Sequence, residues 1–401
     1  MRILMLLDTF FPPDIRVEKE ARTLLQAGHE VYLLSPARNG TPNDELLDGI
    51  RVIRKKPPLF FSGRAWIYFG LQVFTVHPFW KKALEATVEE YKIEAIHVHD
   101  LPLVKTGIYV ARRTGIPLVA DLHENYPEAI RTWATTWTMR FVTPIMIKRW
   151  KRIEKHSVQQ ADRVITVVDE AKEHYVRDCE IPPEKATVVM NTEDLDYFCS
   201  LPIQKEIVQR YEPYFTISYI GGFGRHRGLH TAILAMPQIL KEVPYARLLL
   251  VGSGGNGPEL VQMVREQNVE KEVEFTGWQP FELVSSYIAA SDICLIPHIS
   301  SGHTNSTIPH KIFQSMAIGK PVVVSSAKPL ARIVKEAGAG LVYPSGDAKA
   351  LAEAVIGIYQ DDTLATRLGE AGKRAANEKY NWKIEANKLV ALYEGLENSG
   401  R

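Results

Sequence analysis

The sequence predicts an α/β protein of two successive, doubly wound parallel-sheet units with a cleft between them. Three observations predict it. Short β-rich apolar runs alternate with helix-period segments along the whole chain, which is the pattern of parallel α/β architecture. The 401 residues exceed one ordinary core and suit two domains. The alternation is interrupted once, by a polar, proline-containing stretch at 199–213, and then restarts.

RILMLL (2–7) is the first expected strand, and the helix after it carries Val17, Ala21, Leu24 and Leu25 on one face and stops at Gly28. EVYLLS, RVIRK, EAIHVH, PLVADL, RVITVV and TVVMN continue the strands to about residue 191. After the stretch 199–213, read as a linker, come FTISYIGG, ARLLLVG, VEFTG, DICLIP, KPVVVS and AGLVYP, each bounded by Gly, Pro or an expected helix. The expected domains are therefore 1–198 and 214–380. Ligands in such sheets bind beyond the carboxyl ends of strands, so chemistry is sought in the loops that follow them.

Composition narrows the function. Forty-eight Lys and Arg against 47 Asp and Glu give a net charge of +1, with no global pull toward nucleic acid. Cys179, Cys199 and Cys294 are scattered and odd in number, against a disulfide framework or zinc site and for a reducing compartment. The apolar start meets Asp8 too soon for a signal peptide, and no run of apolar residues suits a membrane span. A cytoplasmic protein is expected. Segments 59–82 and 131–155 mix aromatics with Lys and Arg, and two readings stand. They lie in a lipid interface, giving peripheral association with the inner face of the cell membrane, or they are amphipathic helices covering the first sheet.

Four loops could carry chemistry. "YIGGFGRHRGLH" (219–230) matches neither the P-loop, lacking its Gly-Lys-Ser/Thr ending, nor the dinucleotide fingerprint. What remains is a turn of Gly221, Gly222 and Gly224 feeding a helix near Leu229, where Arg225 and Arg227 suit phosphate. A tight turn with solvated arginines is the other reading. In "SSGHTNSTIPHKIFQSMAIGKPVVVS", Pro309 suits a helix start, and Lys311 and Gln314 share a face with His310 beside them. They could hold a phosphate and a sugar diol, or be the outer face of a packing helix. "DLHENYPE" offers His123 and Glu124 just past a strand end, His123 for hydrogen bonding or proton transfer. In "TFFPPDIRVEKEA", Arg16 is a candidate phosphate or acceptor contact and Asp14 a candidate sugar contact; the alternative is an Asp–Arg pair at a helix start. His97 and His99 in "HVHD" point to one face of a strand, as metal ligands do, but no further ligand cluster is apparent. "DLD" at 194–196 lies in an interdomain connection and is read as coincidence.

Taken in order, these stretches resemble the family-four retaining glycosyltransferases (group 1 glycosyl transferases), whose GT-B fold has two Rossmann-like domains. The resemblance runs through "YIGGFGRHRGLHTAI", "LLLVGSGG", "VEFTGWQPFELVSSYIAASDICLIP", "IPHKIFQSMAIGKPVV", "GAGLVYPSGDAKALAEAV" and "YNWKIEANKLVALY". It extends to "PPDIRVEKEARTLLQAGHEVYLL", "EAIHVHDLP", "DLHENYPE" and "ADRVITVVDEAKE" in the first half.

The resemblance implies metal-independent transfer of a sugar from a UDP-sugar or GDP-sugar to a polysaccharide, lipid-linked or small-molecule acceptor docked on the first domain. His123, Arg227 and Lys311 are its catalytic candidates, with Arg227 gripping the diphosphate. Gly221, Gly222, Gly224, Arg225, Ser306, Thr307, Lys311 and Gln314 complete the donor set, with Gly277 and Trp278 near the base. Asp14, Arg16 and Glu124 lie on the acceptor side. The segment 381–401 is expected to return as a helix to the first domain. The chain departs from the family at three positions. Gly222 replaces a second basic residue, for which Arg225 could compensate. Ser306 and Gln314 replace a pair of glutamates, of which the second binds ribose. A hydrogen bond to a charged group is worth roughly 1.5–3 kcal/mol and a neutral one roughly 0.5–1.5, so Gln314 should weaken donor binding about tenfold without abolishing it. A nucleotide-sugar epimerase of the same fold and a binding-only protein stay open as alternatives.

Overall fold

A computed structural model describes residues 1–56, 74–133 and 137–399, without the side chains at 133, 137–141 and 399. Most of segment 59–82 and a few residues of 131–155 thus lie outside the described residues. The chain divides into two compact units, Met1–Met190 with Glu385–Arg401, and Asn191–Ile384.

Among the described residues unit 1 holds eight strands: β1 (Arg2–Leu6), β2 (Glu30–Pro36), β3 (Asp44–Leu47), β4 (Ile50–Lys55), β5 (Ala95–His99), β6 (Leu118–Leu122), β7 (Arg163–Thr166) and β8 (Ala186–Val188). They form one sheet in the order β3-β4-β2-β1-β5-β6-β7-β8, parallel except for β3 against β4. β1, β5 and β6 are buried on both faces, which is why they read as continuous apolar runs. Strand order reverses at β1–β5, so the loops after β1, β5 and β6 meet at one edge. The described end of segment 59–82 enters the helix Pro78–Tyr91, which packs on the helix Leu101–Thr114 with Trp80 fully buried.

Unit 2 is an all-parallel six-stranded sheet of β9 (Phe215–Ile220), β10 (Ala246–Val251), β11 (Val273–Gly277), β12 (Ile293–Ile296), β13 (Val322–Ser325) and β14 (Gly340–Tyr343). The order is β11-β10-β9-β12-β13-β14, with the switch point at β9–β12. Both phosphate-candidate loops leave these two strands.

The stretch 199–213 is not a free linker. It contains the helix Lys205–Tyr211, and Tyr211 packs with Leu249, Val251 and Tyr287 inside unit 2. Its polar look comes from one amphipathic turn with a solvated face. The units divide earlier, after Met190. The last helix, Trp382–Ser399, joins unit 1 from Glu385 onward. Glu385 Oε2 accepts the Met190 N–H at 2.9 Å, and buried Tyr393 bonds His97 Nδ1 at 2.8 Å. Removing one partner from a buried hydrogen bond costs about 1–3 kcal/mol, so Tyr393→Phe should destabilise unit 1 by that amount, read as a lowered urea midpoint at unchanged m-value.

Candidate functional site

The loop after β9 is shaped by close approaches. Gly221 has φ 133°, and a Cβ there would sit 2.6 Å from Lys311 Nζ. Gly228 has φ 70°, and its Cβ would fall 1.8 Å from the Pro297 carbonyl oxygen. A side chain at Gly228 would push the loop off the β12 end, and one at Gly221 would displace the Lys311 ammonium. Between them, Arg225–Arg227 form a 3-10 turn that delivers Arg227 inward before the helix Leu229–Glu242 begins.

Lys311 opens the short helix Lys311–Ala317 and lays its ammonium 3.6 Å over the centroid of Tyr219, a β9 residue. Cation–π contact partly replaces lost water, yet burial and the nearby Arg227 charge hold Lys311 well below the usual lysine range. Arg227 Nη1 bonds His298 Nε2 at 3.2 Å, which makes that nitrogen an acceptor and His298 neutral. Burial, and then Arg227, lower His298 well below its usual value, His303 to about 4 and His226 to about 3. The histidines add no charge, and among the described residues no carboxylate pairs with Arg227 or Lys311. Beyond the carboxyl ends of β9 and β12 the permanent cation Arg227 thus stands beside an amine whose charge burial disfavours, and a doubly charged anion would stabilise both as cations.

The other donor candidates divide. Arg225 extends to the surface and pairs with Glu259 at 2.8 Å, so it does not compensate for Gly222. Ser306 is buried and its hydroxyl donates to the Gly302 carbonyl at 2.9 Å, holding its own loop rather than offering a hydroxyl outward. The Gly277 carbonyl accepts the Gly252 N–H, and Trp278 beside it stands 74 % exposed. Thr307 is half-buried and extended, and Gly222 and Gly224 lie in the β9 turn. Gln314 is buried, and its Nε2 donates to Glu193 Oε2 at 2.7 Å. That bond turns the amide oxygen away from Glu193 and brings a carboxylate to the place where the sequence lacks one. Glu193, Tyr219 and His298 are absent from the sequence-based set. Only His298, just past a strand end, carried a local signal.

Unit 1 gathers a charged cluster of the opposite kind. Asp14 caps the helix Ile15–Gln26, accepting the Arg16 and Val17 N–H groups, so the helix-start reading holds for its carboxylate. Arg16 does not reach outward for phosphate or acceptor. Its buried guanidinium meets Asp121 and Glu20, each at 2.8 Å, and donates to the Val189 carbonyl. Burial raises Glu20 to about 8, with Arg16 opposing. Burial alone would raise Asp121 as well, but Arg16 and His123 hold it well below the carboxylate range. His123 Nε2 donates to Asp121 Oδ2 at 2.7 Å, and its Nδ1 is 3.6 Å from Asp100. Against its burial, Asp100 and Asp121 raise His123 to about 10, so it is an imidazolium at neutral pH. Asp100 is held in this place with φ 62°, a strained value for a non-glycine residue. Glu124 follows His123, half-buried.

The sequence leaves His97 and His99 alone, but the topology adds Glu20 and Asp121, and ligand atoms of all four lie within 4.8 Å. Arg16 and His123 already answer the two carboxylates, and burial keeps both histidines neutral, His99 at about 3.

The unit 2 pair generates a pH prediction. An anion restores the ammonium of Lys311, raising its pKa, so binding takes up a proton. Affinity for inorganic pyrophosphate should rise as pH falls through the window below the ordinary lysine value of 10.5. Calorimetry in buffers of different ionisation enthalpy checks the uptake; Lys311→Met should remove it.

Comparison with known proteins joins the two halves. Residues 202–375 match the model of glycosyl transferases group 1, and residues 15–197 that of glycosyltransferase family 4. A phosphatidyl-myo-inositol mannosyltransferase of Mycolicibacterium smegmatis is 23% identical over 385 residues, 95% of this chain and 89% of its own. A sucrose-phosphate synthase from Thermosynechococcus elongatus shares the fold with a TM-score of 0.83 at 22% identity, covering 99% of each chain. HepE from Anabaena, solved with UDP, gives 0.74 at 16% identity over 98% of this chain and all of its own. Two models that between them span both sheets, on a GT-B fold, place the chain in the group 1 glycosyltransferases.

Proposed function

We propose that the chain is a retaining transferase that takes a sugar from a nucleoside diphosphate sugar, UDP- or GDP-linked, and passes it to a hydroxyl of a glycan, lipid-linked or small-molecule acceptor without a required metal. One observation carries this reading: half-buried Arg227 beside Lys311, whose charge burial disfavours, with no carboxylate pairing either among the described residues, beyond the carboxyl ends of β9 and β12. A diphosphate supplies the missing negative charge. HepE structures with UDP and with UDP-glucose make uridine nucleotides the first to try.

In the proposed reaction the bond from the anomeric carbon to the β-phosphate oxygen breaks while the acceptor oxygen bonds the same face of the sugar. The acceptor proton passes to the leaving phosphate oxygen. Charge grows on the diphosphate in the transition state, where Arg227 and Lys311 stabilise it most. Gln314, oriented by Glu193, offers its amide oxygen to a ribose hydroxyl. His123, a cation with 18% of its side chain exposed, acts as a hydrogen-bond donor to a sugar hydroxyl rather than as a base.

The test is a thermal-shift panel of UDP, GDP and their sugars with chelator present, followed by product analysis with the stabilising donor. One nucleotide family should raise the midpoint, and Arg227→Ala should abolish the shift and lower kcat/KM by about 10²–10³-fold. Product of the same anomeric configuration as the donor is expected. No stabilisation at millimolar concentration would instead support a binding-only protein that has lost its donor, and conversion of the donor without acceptor would support an epimerase.

A further inference from the structure

A second charged surface lies on unit 1, on the helix Trp137–Gln160. Val142, Ile145, Arg149, Arg152 and His156 recur at intervals of three and four and so form one stripe, with Lys148 at its edge. Val142 is 51% and Ile145 72% exposed, two neighbouring aliphatic side chains on the same helix face as the basic residues. The stripe holds no carboxylate. Glu154 of the same helix is buried on the opposite side against His174.

The neighbouring helix Leu101–Thr114 enlarges the patch. Burial and then the Arg149 charge lower Lys105, and burial followed by Lys105 and Arg112 lowers His156. The two helices therefore bring Lys105, Arg149, Arg112 and His156 close enough to feel one another's charge. On the flank, a groove of about 890 Å³ is lined by Arg131, Lys148, Lys151, Arg152 and Lys155, with Glu154 and Asp178 at its inner wall beside His174. Some of these are answered, Lys151 and Arg131 by Glu128 and Lys155 by Glu180. Lys148 and Arg152 are not paired among the described residues. No described helix is long and apolar enough to cross a membrane.

We propose that this face docks on an anionic lipid bilayer, with Val142 and Ile145 entering the interface and Lys105, Arg112, Lys148, Arg149 and Arg152 against the headgroups. A soluble polyanion would satisfy the cations but leave the two aliphatic side chains in water. A bilayer satisfies both, through apolar burial and attraction to a negative surface. The helix lies in the surface plane and needs no spanning segment. This inference does not depend on the donor chemistry of unit 2.

The full chain should be sedimented with phosphatidylcholine vesicles, with and without a share of phosphatidylglycerol, at low and high salt. Binding is expected only with phosphatidylglycerol and should fall with salt. Each basic residue near an anionic surface contributes about fivefold, so Lys148→Glu with Arg152→Glu should weaken binding at least ~20-fold. Ile145→Ser should weaken it without changing the salt slope. Arg112→Glu, on the second helix, should weaken it as well and keeps the test sound if the first pair fails to fold, judged by circular dichroism melting. Equal sedimentation with both vesicle types would overturn the proposal. So would wild-type binding by the variants, or binding to heparin with none to vesicles.

Discussion

A lysine amine buried beside an arginine gives up its charge unless an anion joins them, and the arrangement of unit 2 turns on this constraint. Lys311 and Arg227 come from different loops, and each is admitted by a glycine: Gly221 makes room for the ammonium, and Gly228 lets the Arg227 turn rest on the Pro297 carbonyl. Tyr219 floors the lysine, while His298 accepts from the arginine. Neutral histidines and an aromatic face are what such a site needs before its ligand arrives. A resident carboxylate would satisfy the cations permanently and close the site.

Unit 1 solves the opposite problem. Asp121, Arg16 and His123 are buried or nearly so, but each charge faces its opposite within hydrogen-bond distance, while burial raises Glu20 beside Arg16 to about 8. Breaking one pair leaves an uncompensated charge in the core, so this cluster fixes geometry rather than awaiting a ligand. Its one partly exposed member is His123, and the same pairing that keeps it protonated determines that it donates.

The sheets, their order of appearance and the two phosphate-candidate loops were legible in the sequence because each rests on local signals: apolar runs, glycines after strands, a proline at a helix start. Arg227 and Lys311 were named from those loops. What the sequence hid depends on distant partners. Arg225 and Arg227 are equally basic and two residues apart, and only a 3-10 turn sends one to Glu259 and the other inward. Arg16 reads as an available cation until Asp121, 105 residues away, is seen to hold it. Glu193 lies 121 residues before Gln314, so no spacing rule could show that a carboxylate from another loop holds the Gln314 amide. The stretch 199–213 misled because a short helix with one buried tyrosine resembles a linker in composition.

The charge state of Lys311 tests the account most directly. Competitive acylation of the full chain with limiting acetic anhydride over a pH series, read by peptide mass spectrometry, titrates each lysine amine separately. Lys311 is expected to react as a free amine at pH values where the exposed lysines are still protonated, and a stabilising nucleoside diphosphate to suppress this reaction by restoring its charge. If Lys311 titrates with the exposed lysines and is indifferent to every nucleotide, the cation pair is not a waiting anion site and the account is contradicted.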